Sequence, residues 1–395
     1  MRITPEEQFV LLSSNLNPSQ QKVEYLRSVF SNIKDWDYFT ELAIKKQAAP
    51  LVLNVCNKHK TDFDIPSNSR LKLEQAWLKT LSRNMLYIKN FQDIVYAFNK
   101  ENIAVIPLKG IYLADWLYKE IGLRQFSDMD VLIHPEDLEK AVNVLGGMGF
   151  ATTGFQNIPD IVSKYTPFTH YAPLVRNGIS IELHIRIHGQ TESFSVDTSG
   201  LWTNATIQKV NEVEVLTFCL TDLLLHICLH LHKHFYISKF QFTGFYDVAN
   251  IMNQYAETLD WDLFEKKCIT SNAVEYTYKY ILLAGKYLGS PVPAAIQNNY
   301  GYRLKKSDER QFVQCLRDKK PKINLSQGLR IRDLNHINTL SEKFKYVYLN
   351  VFPPLDFMIE RYQIPKQHKI TPYYFKRIGE GFKLIVSFFA GKIRK

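Results

Sequence analysis

The sequence predicts an α+β chain, a small mixed sheet flanked by N-terminal and C-terminal helical regions. Three observations carry that reading. Apolar residues recur three and four apart through most of residues 5–100, the spacing of one helical face. Between Ile103 and Ile187 this period gives way to short apolar runs bounded by turn residues. After Leu216 the helical period returns. The division that follows is a helical domain over 1–100, an α/β core over 101–200 and a helical domain with a basic tail over 201–395.

The elements follow in order. Gln21–Val29, Asp37–Lys45 and Ser67–Asn99 read as helices, separated by breaks at Asn17-Pro18-Ser19 and Asp64-Ile65-Pro66-Ser67. Ile103–Leu108 is a short apolar run, most simply a buried strand, which Lys109-Gly110 ends. Ile111–Glu120 reads as a helix stopped by Gly122. Met129–Ile133 is a second strand, and Pro135 opens a helix to about Leu145. Tyr171–Val175 and Ile179–Ile187 flank Asn177-Gly178, the strongest short hairpin signal. Beyond Leu216 the helices are Thr221–Tyr236, Tyr246–Tyr255, Trp261–Cys268, Ala273–Leu288 and Glu342–Asn350.

Composition bounds the function. Hydrophobic residues make up 46% of the 395, enough for a large core and too many for a disordered chain. The formal net charge of +10 favours polyanionic partners: nucleotides, nucleic acid or an anionic membrane surface. Cys56, Cys219, Cys228, Cys268 and Cys315 are odd in number and contain no Cys-x-x-Cys pair, against a disulfide framework or a zinc ribbon. The polar start and the lack of a long apolar run point to a cytoplasmic protein without a transmembrane helix.

Two strands concentrate the chemistry. In Ser127-Asp128-Met129-Asp130-Val131, side chains alternate between faces, so Asp128 and Asp130 point the same way, about 7 Å apart. Neighbouring carboxylates repel unless a cation lies between them. Mg²⁺ suits such oxygen ligands and also takes substrate phosphates. In Ile181-Glu182-Leu183-His184-Ile185-Arg186-Ile187-His188, the even positions are polar and share a face. If that face meets Asp128 and Asp130, three carboxylates converge, about 4–8 Å apart, and can hold two Mg²⁺ for phosphoryl displacement.

Leu108-Lys109-Gly110, Arg124, Ser127-Asp128-Met129-Asp130 and Ile181-Glu182-Leu183-His184 together resemble the signature of the DNA polymerase β-like nucleotidyltransferases. More narrowly, the chain resembles a bacterial group, the uncharacterised nucleotidyltransferase family proteins. The resemblance includes the His-rich helix Thr221–Tyr236 and Phe352-Pro353, so it spans most of the chain. It implies a transferase that moves NMP from a nucleoside triphosphate to an unidentified acceptor hydroxyl, with Mg²⁺ or Mn²⁺ as cofactor. Asp128, Asp130 and Glu182 would be the catalytic and metal-binding carboxylates. Lys109, Gly110, Arg124, Ser127 and His184 would bind the nucleotide, with free backbone N–H groups near Gly110 taking the triphosphate. In the superfamily that glycine is usually followed by Gly or Ser; here Ile111 follows it. This departure supports a rival in which the fold persists as an inactive nucleotide-binding or regulatory protein.

Two further features stand outside that set. His226, His230 and His234 recur every four residues on one helical face. They suit a polar helix–domain interface, a nucleotide-lining face, or a metal hydrolase if a third ligand comes from elsewhere. Tyr373–Arg394 mixes Phe375, Ile378, Phe382 and Phe389 with Lys376, Arg377, Lys383 and Arg394. Such a basic amphipathic helix lies on an anionic membrane, grips nucleic acid or docks on its own protein.

Overall fold

The computed structural model describes residues 3–152, 170–188, 192–235, 242–301, 304–318, 340–352, 358–359, 362, 364 and 369–379. Four short helices begin the chain: α1 (Pro5–Leu12), α2 (Gln20–Phe30), α3 (Trp36–Lys45) and α4 (Ala49–Lys58). Thr4 and Glu7 form a reciprocal capping box on α1, satisfying two of its otherwise unpaired N–H groups. Glu7 is fully buried because it also receives the Arg317 guanidinium at 2.5 and 2.8 Å and the Tyr38 hydroxyl at 2.8 Å. That ion pair ties the first helix to the chain 310 residues later.

The long helix α5 (Ser67–Lys100) has 34 residues and supports the sheet. Leu73, Tyr87, Phe91, Ile94, Val95 and Phe98 form its buried face. Its polar groups also hold the segment leading to Asp128. Asn84 Nδ2 donates to the carbonyls of Ile121 at 2.5 Å and Arg124 at 2.8 Å, and the Tyr87 hydroxyl donates to the Ser127 carbonyl. These bonds satisfy backbone oxygens that have no strand partner.

The sheet contains β1 (Ile106–Leu108), β2 (Met129–Leu132), β3 (Ala151–Thr152), β4 (Leu174–Arg176) and β5 (Ile179–His184). Its order is β1-β2-β5-β4-β3, with β2 and β5 parallel and the other pairs antiparallel. The mixed helix and sheet content agrees with the α+β expectation. Asn177 and Gly178 turn the β4–β5 hairpin with φ of 50° and 78°, the left-handed geometry that Asn-Gly favours. Met129, Val131, Leu132 and Ile133 are all buried, so both faces of β2 are covered.

Several boundaries differ from the sequence reading. β1 begins at Ile106 rather than Ile103. The helix after it, α6, spans only Gly110–Trp116. The element opened by Pro135 starts as a 3₁₀ turn, Pro135–Asp137, and becomes α7 at Leu138–Gly147. β5 ends at His184, so the strand alternation stops before Arg186 and His188. A second hairpin, β6 (Thr206–Val210) and β7 (Val213–Thr217), lies inside the stretch read as a helical domain. It packs beside β1, with Leu216 N–H donating to the Val105 carbonyl at 3.2 Å.

After a short helix α8 (Thr198–Thr203), the later chain is helical: α9 (Leu220–His234), α10 (Thr243–Tyr255), α11 (Trp261–Thr270), α12 (Val274–Leu288), α13 (Ala294–Tyr300), α14 (Lys306–Leu316) and α15 (Leu340–Val351). α13 and α14 were not legible as helices in the sequence. One apolar cluster runs through the fold from Phe9 to Leu316. Among the described residues no helix is long and apolar enough to cross a membrane. Residues 371–379 are helical, with Phe375 exposed and Arg377 buried. The rest of the expected basic amphipathic helix lies outside the described residues.

Candidate active site

The parallel pairing of β2 with β5 builds the site. Its register sets Asp130 opposite Glu182 and Leu132 opposite His184. Directly opposed residues share a sheet face, with Cβ atoms about 5 Å apart. His184 Nε2 lies 2.9 Å from Asp130 Oδ1 and 3.7 Å from Glu182 Oε2. One ligand atom from each of Asp130, Glu182 and His184 falls within 4.8 Å of the other two. Among the described residues this is the one group of three such side chains so placed. Asp128 is not one of the three. It is half-buried just before β2.

Lys109 closes the other side of Asp130. Its ammonium lies 3.0 Å from Asp130 Oδ2 and 3.5 Å from His230 Nδ1 on α9. Its backbone has φ 48° and ψ −113°, a region that a side chain rarely adopts. Such strain, on the order of 1–3 kcal/mol, persists where surrounding contacts hold it, and it clusters at functional sites. The next residue, Gly110, is packed tightly: a Cβ there would come within 2.6 Å of Phe126 Cβ and 3.0 Å of Arg124 Nη1. Gly110→Ala is therefore expected to lower stability by about 1–3 kcal/mol, read by thermal unfolding. An unchanged melting temperature would show that this turn has slack.

The charges follow from these contacts. Burial pushes the Asp130 carboxyl up, but Lys109 and the His184 hydrogen bond outweigh it and hold it well below the usual range. For Glu182, burial is likewise outweighed by His184 and His170, so its pKa is lowered. His184 is raised: hydrogen bonds to Asp130 and Glu182 overcome its burial. Asp128 takes the repulsion. Burial, then the Asp130 charge, push it up to about 6, with Lys109 opposing. On α9, burial and then Lys109 hold His226 and His230 well below the ordinary value, so both are neutral imidazoles at neutral pH.

Asp128 thus ionises at a cost in the metal-free fold. Its pKa is higher folded than unfolded, so the proton stabilises the fold at low pH, and that stabilisation is lost as pH rises from about 4 through about 6. Asp128→Asn is expected to raise metal-free stability by ~3 kcal/mol above pH 6. The gain should shrink as pH falls towards 4. A gain independent of pH would contradict this origin.

The expected nucleotide-binding residues separate in the fold. Lys109 and His184 contact Asp130 directly. Arg124 is bonded to Asp247 rather than to the strand carboxylates, although its charge still acts on Asp128. Its Nε and Nη2 donate to Asp247 Oδ1 and Oδ2 at 2.9 and 2.7 Å, and both side chains are buried. The Tyr118 hydroxyl donates to the same carboxylate at 2.9 Å. Ser127 is exposed, with its carbonyl bonded to Tyr87. Gly110 packs against Phe126 and Arg124. His188 leaves the strand face and lies against Ser195 and Val196, at 3.3 and 3.4 Å. His226 and His230 face towards Lys109, whereas His234 is exposed at the end of α9.

His170 was missed from the sequence. Its Nε2 is 3.7 Å from Glu182 Oε2, and it bridges His184 across the strands. That bridge and the Tyr171–Leu183 bond run one residue out of step with the β4–β5 register. A bulge of this kind redirects a side chain, and alternation alone cannot reveal it.

The family described as uncharacterised nucleotidyltransferase matches residues 32–289, well over half of the chain, and the chain belongs to that family. No curated protein and no solved structure matches it.

Proposed function

We propose that this chain transfers NMP from a nucleoside triphosphate to an acceptor hydroxyl at the Asp128, Asp130 and Glu182 carboxylates. The observation that carries the reading is the Asp130–Glu182 pairing on adjacent parallel strands, in a chain of this family. The residues fit a divalent cation. Burial and then the charges of Asp130 and Glu182 raise Asp128 even with Lys109 and Arg124 opposing, which leaves room for a cation. Mg²⁺ or Mn²⁺ held by Asp128, Asp130 and Glu182 would neutralise charge developing on the attacking and leaving oxygens.

The chain's own groups account for the rest. The acceptor oxygen attacks the α-phosphorus, the bond to the β-phosphate oxygen breaks, and pyrophosphate leaves. Both oxygens of Asp130 are engaged, by Lys109 and His184. Glu182 is the more exposed of the two strand carboxylates, with 22% of its side chain accessible against 5% for Asp130. The acceptor's proton therefore passes to Glu182. Lys109 orients Asp130 and adds positive charge beside the phosphates.

The test is incubation of the purified protein with each α-labelled nucleoside triphosphate and a cell extract. Mg²⁺- or Mn²⁺-dependent transfer of label to a discrete species is expected. Nucleotide binding without any transfer would favour an inactive, regulatory member of the family. One observation favours that second reading: Asp247 sequesters Arg124, so the cation expected for the phosphates is already paired. The hydrolase reading has no comparable support, since α9 assembles no group of three ligands among the described residues.

A further inference from the structure

We propose that the His184 imidazole is itself a metal ligand, so that Asp130, Glu182 and His184 form a mixed nitrogen–oxygen site preferring a first-row transition ion to Mg²⁺. This rests on the metal-binding part of the function proposed above and not on its transfer step.

The spacing is the first argument. His184 Nε2 is 2.9 Å from Asp130 Oδ1 and 3.7 Å from Glu182 Oε2. Ligands at about 2.0–2.2 Å from one ion stand roughly 3 Å apart at right angles and about 3.7 Å apart at wider angles. The two separations from Nε2 fit atoms sharing one ion, and all three ligand atoms lie within 4.8 Å of one another, so side-chain adjustment can complete the set. All three residues sit on β2 and β5, whose register fixes their relative height.

The ring's other nitrogen is the second argument. His184 Nδ1 is buried and has no hydrogen-bond partner, and only 7% of the residue is exposed. In the metal-free site the hydrogen bond to Asp130 keeps a proton on Nε2, and a bound cation would take that proton's place. No acceptor competes for Nδ1, so a neutral ring with its proton there would aim the Nε2 lone pair between the two carboxylates. Mg²⁺ demands hard oxygen ligands and near-octahedral geometry. An imidazole in the set disfavours it and suits transition ions, which also accept carboxylates.

The probe is Mn²⁺ alone, added to the metal-free full-length protein and read by pulsed electron paramagnetic resonance. Wild type is expected to show nitrogen coupling from a directly bound imidazole. His184→Gln should lose that coupling and bind Mn²⁺ about tenfold or more weakly. His170→Gln is the control, because His170 lies 3.7 Å from the same Glu182 oxygen, and it should keep the coupling. Bound Mn²⁺ without imidazole coupling in wild type overturns the proposal, as does coupling that survives in His184→Gln or disappears in His170→Gln. If His184→Gln fails to fold, the wild-type and His170→Gln spectra decide. Imidazole coupling in a protein that transfers no NMP would leave this site standing and remove the transfer reading.

Discussion

Asp130→Asn is expected to abolish most NMP transfer, by about 10²–10³-fold, the scale on which one pre-organised electrostatic group acts. Asp130 is the most tightly held carboxylate of the site, 4% exposed, with Lys109 on one oxygen and His184 on the other. The Asn side chain keeps the shape and loses the charge. Strand alternation alone suggests that neutralising either aspartate relieves repulsion and stabilises the metal-free protein. The contacts divide that expectation. Asp128 carries the repulsion, whereas Asp130 is stabilised by its partners. Asp130→Asn leaves the Lys109 ammonium without its carboxylate and should cost about 1–3 kcal/mol. Labelled-nucleotide transfer and thermal unfolding together read both effects. Equal transfer by wild type and Asp130→Asn would place the activity elsewhere.

The largest stability effect is expected at Asp247. Removing one partner of a buried ion pair leaves an uncompensated charge and costs about 3–5 kcal/mol. Asp247→Ala does this to Arg124, whose side chain is 7% exposed. It also strips the Tyr118 hydroxyl of its acceptor. Replacing both members, with Arg124→Met and Asp247→Leu, should recover much of the loss, since no buried charge remains. Denaturant unfolding measures both variants. A near-neutral Asp247→Ala would mean that Arg124 has another place to put its charge, the phosphate site included.

The candidate site was partly legible because β-strands have a period of two. Asp130, Glu182 and His184 fall at positions that alternation places on polar faces, and Asn177-Gly178 marks the hairpin that precedes β5. The helices of the first hundred residues and α9 were legible from their apolar spacing. The hairpin β6–β7 was not: Asn211 and Glu212 both take positive φ, and a Glu there carries no turn signal of the strength of Asn-Gly.

What the sequence by itself determines is local: which residues share a strand face, where turns fall, and that carboxylates cluster along two short strands. Only the tertiary structure decides which strands are neighbours. The parallel register of β2 and β5 joins residues 52 positions apart and sets Asp130 against Glu182. It brings His170 across from His184 through a break in register. It also sets His230 beside Lys109 and gives Arg124 to Asp247, 121 and 123 residues away. Arginine has the same donors in any setting, so its role follows from the acceptor the fold supplies, and no local pattern records that choice.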